Sequence, residues 1–182
     1  MSVTPALRYD TGAIWLDLLA TVGNAYGHEP FERMSTVGLL AEWLGHEGLS
    51  PVAAPGPDDL AQAHELREIL RPLGLAAAAG RTPDRGEVER LNAVLTRDAP
   101  LQLTPDLTLA APPTAGDALT RIARQAAEHL AGPAAARLRT CDDHDCGMLF
   151  DDVTGRRRWC SAAMCGVRHR VRAHRGRTGA TS

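Results

Sequence analysis

The sequence predicts a mainly α fold of the α+β class, with a helical body, one short β-hairpin and a small C-terminal module that carries a basic helix. Of the 182 residues, 44% are hydrophobic but only 4% are aromatic, so the core must consist mainly of Leu, Ala and Val. Apolar residues recur at helical spacing through most of residues 1–136. All four cysteines lie within residues 141–165, which indicates a second, smaller domain at residues 137–182.

The first elements of the body lie before residue 58. Residues 14–19 are apolar except for Asp17 and are too short to assign to a helix or a strand, but they belong in the core either way. Ser35 is the expected N-cap of the next helix. The apolar face of that helix comprises Val37, Leu40, Trp43 and Leu44. Residues 50–57 contain three Pro and one Gly, which predicts a loop.

The remaining helices of the body have clear start and stop signals. Asp58 or Asp59 opens a long helix that Pro72 should kink or divide, and another helix begins near Pro83. A last helix is expected over residues 114–130, before a Gly-Pro stop signal. Between these last two helices, leucines alternate with polar or small residues on either side of a Pro-Asp breaker, which predicts the β-hairpin. These leucines are Leu101, Leu103, Leu107 and Leu109.

Charge is distributed unevenly along the chain. All 20 basic residues are Arg. Residues 1–136 carry 10 Arg against 17 acidic residues, a net charge of −7, whereas residues 137–182 carry 10 Arg against 5 Asp, a net charge of +5. An acidic body joined to a basic end suggests that the basic end binds a polyanion.

The cysteines have the spacing C-x4-C, thirteen residues, C-x4-C, and are Cys141, Cys146, Cys160 and Cys165. Two close pairs can supply four thiolates from two tight turns, which is the tetrahedral set that zinc prefers. Such a closed shell indicates one structural zinc ion and argues against catalytic zinc. The alternatives are unrelated buried cysteines, a redox pair or a disulfide framework, and His144 is an alternative ligand that we leave out of the metal set.

An acid-free run of eight Arg extends from residue 156 to residue 177. We expect nucleic-acid contacts from Arg156, Arg157, Arg158, Arg168, Arg170, Arg172 and Arg175, with Arg157, Arg158, Arg168 and Arg172 as the main ones. If residues 162–177 form a helix, Met164, Val167 and Val171 make a narrow apolar stripe that can pack on the zinc turns. The alternative interpretation of the run is a solvated helix face. Trp159 either stacks on a base or anchors the core of the module.

Several motifs of the module resemble the bacterial CGNR-type zinc finger. They are Cys141, Cys146-Gly147, Phe150, Asp152, Arg157-Arg158-Trp159-Cys160-Ser161 and Cys165-Gly166-Val167-Arg168. The segment WLDLLAT at residues 15–21 resembles the N-terminal domain that accompanies this finger in stress-induced transcription regulators. The resemblance implies a helical regulator-like domain at residues 1–136, zinc on the four cysteines, DNA binding and a role in transcription and the stress response.

Three positions depart from the family pattern. Val167 stands where the family has its namesake Asn, so any contact made by that Asn is absent. Ala20 stands where the N-terminal motif usually has Asn, and the turn at residues 153–155 lacks the Ser-Arg-Asn pattern. None of these positions is a zinc ligand.

The function that these observations predict is a DNA-binding transcription regulator with structural zinc. The alternative is a zinc-stapled module that binds protein or RNA, with a ligand-sensing helical body. We expect no enzymatic activity, because the sequence contains no phosphate-binding loop and no nucleophile elbow. A single short reading helix would gain from dimerisation on paired half-sites, so a homodimer is a further expectation.

One hypothesis concerns a small-molecule effector bound in the body. Its pocket would be formed by Asp17, Asn24, His28 and Trp43. The alternative for Asp17 is a buried carboxylate that caps nearby backbone amides. The first residues show no secretory signal and no segment reaches the ~20 apolar residues of a membrane span, so we expect a cytoplasmic protein without membrane contact.

Overall fold

The computed structural model describes residues 6–179, and it describes side chains from residue 6 to residue 174. The elements in chain order are α1 (Ile14–Leu19), β1 (Val22–Gly23), β2 (Phe31–Glu32), α2 (Val37–His46), α3 (Pro57–Ala78), α4 (Arg85–Leu95), α5 (Ala115–Ala131), a 3₁₀ helix (Pro133–Arg137), β3 (Leu138–Thr140), β4 (Leu149–Asp151), a π-helical turn (Ala162–Gly166) and α6 (Val167–Gly179). The predicted fold class is confirmed. Among the described helices, none is both long and apolar enough to cross a membrane.

Helix α3 lies at the centre of the body, where α1, α4, α5 and β3 all pack against it. Trp15 of α1 and Trp43 of α2 are fully buried in the same core. Pro72 lies inside α3, yet the helix continues from Pro57 to Ala78 instead of being divided. Buried Leu70 and Leu73 flank this proline, and their packing offsets the ~3 kcal/mol that a proline costs in a helix interior.

Side-chain caps fix the starts of α2 and α5. The cap of α2 is Thr36, whose hydroxyl accepts a hydrogen bond from Leu39 N, and not Ser35 as predicted. Thr114 and Asp117 cap α5 reciprocally: the hydroxyl accepts from Asp117 N and the carboxylate accepts from Thr114 N. These bonds satisfy amide groups that have no partner within the helix.

The strands differ from the sequence prediction. Residues 101–110 turn back on themselves as predicted, with backbone hydrogen bonds of 2.8 Å from Thr104 N to Thr108 O and from Ala110 N to Gln102 O, but the pairing is limited to an isolated β-bridge between Leu103 and Leu109. The four alternating leucines are all exposed, with Leu107 at 81%. Alternating leucines form stable strands when another layer of the protein covers the face that carries them. No element among the described residues buries these four leucines. Two short antiparallel hairpins form elsewhere: β1 pairs with β2, and β3 pairs with β4 in the register Arg139↔Phe150.

The body and the C-terminal module share one hydrophobic core. Leu138 of β3 and both Leu149 and Phe150 of β4 are buried in the same cluster as the body helices. The Asp151 amide also donates to Thr11 O, at 2.8 Å. Helix α3 approaches β4 closely at Gly74, where a Cβ atom would lie 2.7 Å from Leu149 Cδ1. The module is therefore held against α1 and α3 by buried contacts.

Candidate metal centre

Two turns of the C-terminal module bring the four cysteines together. Cys141 directly follows β3 and Cys146 lies in the turn to β4, whereas Cys160 precedes the π-helical turn and Cys165 lies within it. The Cys146 amide donates to Asp143 O at 2.8 Å, and the Cys165 amide donates to Ser161 O at 3.0 Å. Each C-x4-C pair therefore comes from a turn that is closed by its own backbone hydrogen bond.

The donor set fits zinc. The four Sγ atoms lie within 4.8 Å of one another, and all four residues are buried. The Sγ of Cys160 is 3.6 Å from that of Cys146 and 3.7 Å from that of Cys165. A tetrahedron with Zn–S distances of about 2.3 Å has edges of about 3.8 Å, which matches these separations. Four thiolates complete the shell without a position for water, so the site is that of one structural zinc ion.

Two guanidinium groups donate to the cysteine sulfurs. Arg8 Nη1 lies 3.3 Å from Cys160 Sγ, and Arg168 Nη2 lies 3.0 Å from Cys165 Sγ. Zinc with four thiolates carries a charge of about −2, which these two cations offset at short range. Burial alone would lower the pKa of Arg8, but Cys160 and Asp10 raise it above its ordinary value. Arg8 could not be predicted from the sequence, because no local pattern connects residues separated by 152 positions.

Asp143 connects the first cysteine turn to α6. Its carboxylate is fully buried and accepts a hydrogen bond from Arg172 Nη1 at 2.8 Å. It also forms an ion pair with Arg168, whose Nε lies 3.0 Å from Oδ2 without the angle of a hydrogen bond. Arg172 pairs in addition with the carboxylate of Asp145. Arg168 and Arg172 therefore hold α6 against the zinc turns.

Asp152 organises the loop that carries the first group of arginines. Its carboxylate accepts hydrogen bonds from the Arg156 and Arg157 amides, at 3.2 and 3.1 Å. Burial acts to raise the pKa of Asp152, but these bonds and one from the Thr154 hydroxyl hold it below its ordinary value. The Arg157 guanidinium lies over the Phe150 ring and donates a hydrogen bond to the Cys160 carbonyl. This side chain therefore already has partners within the protein.

The remaining predicted DNA contacts are more accessible. Arg158 is exposed, pairs with Asp142 at 2.9 Å and lies over the Trp159 ring. The side chains of Arg156 and Arg170 are exposed and form no ion pair with any residue that the structure describes. The side chain of Arg175 lies outside the described residues.

Comparison with family models gives two matches. Residues 12–133 match ABATE, described as "Putative stress-induced transcription regulator", and residues 137–178 match the CGNR zinc finger. The chain belongs to the ABATE family. Both resemblances drawn from the sequence motifs are thus confirmed. No curated protein matches the chain.

The predicted apolar stripe of the ABATE protein's basic helix does not pack on the zinc turns. Met164, Val167 and Val171 are 41–43% exposed. The buried polar contacts of Asp143 with Arg168 and Arg172 hold the helix instead. Trp159 is half-buried and packs against the His169 ring, with 5.5 Å between ring centroids.

The structure does not bring the four predicted pocket residues of the ABATE domain into one cavity. Trp43 is fully buried and His28 is exposed, and none of the four residues lines the cavity between α3, α4 and α5. The side chain of Asn24 donates to Glu29 O in the β1–β2 turn. Asp17 accepts bonds from the amide and the hydroxyl of Thr11, which is the capping role given as its alternative.

Proposed function

We propose that this ABATE protein is a DNA-binding transcription regulator in which zinc fixes the module and an exposed surface beside α6 contacts the phosphate backbone. The observation that carries this proposal is an exposed, basic surface around Trp159, which we call the Trp159 patch and which Asp142 borders through its pair with Arg158. It comprises Arg158, Trp159, His169 and Arg170. Guanidinium groups and aromatic rings are the side chains that suit phosphate oxygens and base faces.

Gly166 lies next to two members of the Trp159 patch. A Cβ atom at this position would lie 3.4 Å from Trp159 Cε3 and 3.6 Å from Arg170 Nη1. On the other side of the tryptophan, the Arg158 guanidinium lies 5.2 Å from the ring centroid. The exposed pair of Arg158 with Asp142 is of a type that contributes at most about 1 kcal/mol, so a phosphate can replace the carboxylate.

The proposal divides the predicted arginines into two groups. Arg168 and Arg172 position α6 through Asp143 and the zinc ligand Cys165. Arg158 and Arg170 are left to contact the backbone, and Arg156 is exposed on the preceding loop. The module keeps a net charge of about +3 with zinc bound, against −7 for the body, so a polyanion approaches the module first. We propose no enzymatic role.

The test is fluorescence anisotropy of a labelled mixed-sequence DNA duplex with the zinc-loaded protein, across a salt series. Arg170→Ala should weaken binding and reduce the slope of log K against log salt by about one, because one phosphate contact is lost. The matched control is Arg85→Ala, which removes an exposed Arg from the body. This control should leave both the affinity and the slope unchanged.

Two results would contradict the proposal. The first is a wild-type salt slope in Arg170→Ala, and the second is no binding to duplex DNA even at low salt. Retained binding to a structured RNA in competition with the duplex would support the RNA-binding alternative instead.

A further inference from the structure

A cavity of about 550 Å³ lies between α3, α4, α5 and the 3₁₀ helix. Its size falls in the range of about 300–1,000 Å³ that is typical of small-molecule sites. The wall is mainly aliphatic and includes Leu73, Ala77, Val88, Leu91, Ala127 and Leu130. It contains no residue of the pocket predicted from the sequence. An apolar cavity that is open to solvent is the typical setting for the hydrocarbon part of a ligand.

Two polar side chains stand in this apolar lining, Arg81 and Asn92. Both are exposed, and neither side chain forms a hydrogen bond or an ion pair with any part of the chain that the structure describes. No Asp or Glu lines the cavity, although the body as a whole has a net charge of −7. The cavity therefore presents an uncompensated cation and an amide next to an aliphatic surface.

We propose that this cavity binds a small amphipathic carboxylate, with the carboxylate on Arg81 and the hydrocarbon part against the leucines. A guanidinium group matches the two oxygens of a carboxylate, and such charge-assisted bonds are about twice as strong as neutral ones. A neutral hydrocarbon would gain nothing from Arg81, which stays hydrated because it is exposed, and a cation would be repelled by it. The anionic head and the aliphatic tail are thus both required.

The position of the cavity connects ligand binding to the zinc module. Ala135 and Ala136 form part of its wall and belong to the 3₁₀ helix, which leads directly into β3 and Cys141. The same 3₁₀ helix ends at Arg137, which donates two hydrogen bonds to Asp151 of β4, at 2.8 and 2.7 Å. A ligand in the cavity therefore contacts the segment that joins the body to the module. This regulatory consequence rests on the proposed function, whereas the binding itself does not.

The binding test is isothermal titration of the full zinc-loaded chain with octanoate and, separately, with 1-octanol, without DNA. We expect one saturable site that prefers octanoate by about twofold to fivefold, since the carboxylate pairs with a guanidinium that is exposed to solvent. Arg81→Ala should lower octanoate affinity to that of the alcohol, while Arg85→Ala, four positions along the chain, should not change it. Ala131→Trp, placed at the exposed rim of the cavity, should abolish binding of both compounds.

Three outcomes would overturn the proposal: no saturable octanoate binding, equal affinity for acid and alcohol in the wild type, or unchanged binding in Ala131→Trp. Circular dichroism of each variant checks that its fold is retained. DNA affinity with and without octanoate is then measured separately. A protein that binds octanoate but no DNA would contradict the proposed function and leave the ligand site standing.

Discussion

Asp17 places a carboxylate inside the core of the body. Burial raises its pKa to about 7, the two hydrogen bonds from Thr11 lower it in part, and the nearby Glu47 carboxylate raises it further. The pKa of Glu47 is itself raised by burial. The folded protein therefore holds a proton on Asp17 at pH values at which the unfolded chain has released it.

This protonation makes stability depend on pH in a defined direction. The folded pKa lies above the ordinary value of 3.8, so protonation stabilises the fold at low pH and this contribution is lost as the pH rises toward 7. Asp17→Asn removes the titration and keeps an oxygen to accept from Thr11. As the pH rises toward 7, the free energy of unfolding of the variant should therefore increase relative to wild type, by up to about 1.4 kcal/mol per pH unit.

Urea unfolding of both zinc-loaded proteins between about pH 5.5 and 7.5 measures this difference, in a range chosen to limit the zinc loss that acid causes. Taking the difference between the two proteins cancels groups that titrate equally in both. A difference that stays constant with pH, or that shrinks as the pH rises, would contradict the assignment.

Among the secondary-structure elements, α3 and β4 pack closely together where the body meets the module. Gly74 leaves room there for Leu149 and for Trp15, whose Cη2 would lie 3.1 Å from a Cβ atom at this position. Both neighbours are buried and cannot turn away into solvent. Overpacking a core in this way typically costs about 1–3 kcal/mol.

We therefore expect Gly74→Ala to lower the free energy of unfolding by about 1–3 kcal/mol, although Ala is normally the better helix former. The matched control is Gly38→Ala in α2, where the nearest side-chain atom would be 3.8 Å away. It should be neutral or stabilising by a few tenths of a kcal/mol. Chemical denaturation compares the two, and a Gly74→Ala protein as stable as wild type would contradict the close approach.

An element could be predicted from the sequence when the residues that specify it lie close together in the chain. Helices α3 and α5 could be predicted because their apolar period and their caps are local. The extent of the strands at residues 101–109 could not be predicted from the sequence. Alternating leucines form full strands only if another layer covers them, and Leu107 remains exposed. The caps were predicted to within a residue or two, since Ser35 and Thr36 are chemically similar neighbours.

Across the entire chain, the zinc ligands were predictable but their surroundings were not. The C-x4-C pairs identify Cys141, Cys146, Cys160 and Cys165 because each pair lies within a single turn. Asp143 and Arg172 form a hydrogen bond although they are 29 positions apart in the sequence. The sequence therefore predicts an Arg-rich surface but does not show which Arg is paired with an acidic residue. Arg168 and Arg172 are paired with Asp143 in the structure, and their expected contacts with nucleic acid stay a prediction.

The shared core also predicts that zinc supports the body as well as the module. Cys146→Ser should lose zinc and lower the midpoint of the helical unfolding transition by roughly 10 °C or more, because Leu138, Leu149 and Phe150 leave the common core when the module opens. Circular dichroism and a zinc assay measure both effects. Met164→Ser, an exposed change beside a ligand, is the control and should retain zinc.

An unchanged helical transition in a zinc-free Cys146→Ser protein would show that the body folds independently. That outcome would contradict the cooperative role assigned to the β3–β4 hairpin.

The hydrogen bond from Arg8 to Cys160 has a consequence for the order of folding. Its two partners are separated by 152 positions, so forming this contact closes a loop that spans most of the chain, which costs more conformational entropy and is slower than closing a local turn. The Cys141–Cys146 turn, in contrast, is closed by a local hydrogen bond and can form without the rest of the chain. We therefore expect zinc to bind first to Cys141 and Cys146, and Arg8 to contact the zinc site only late in folding.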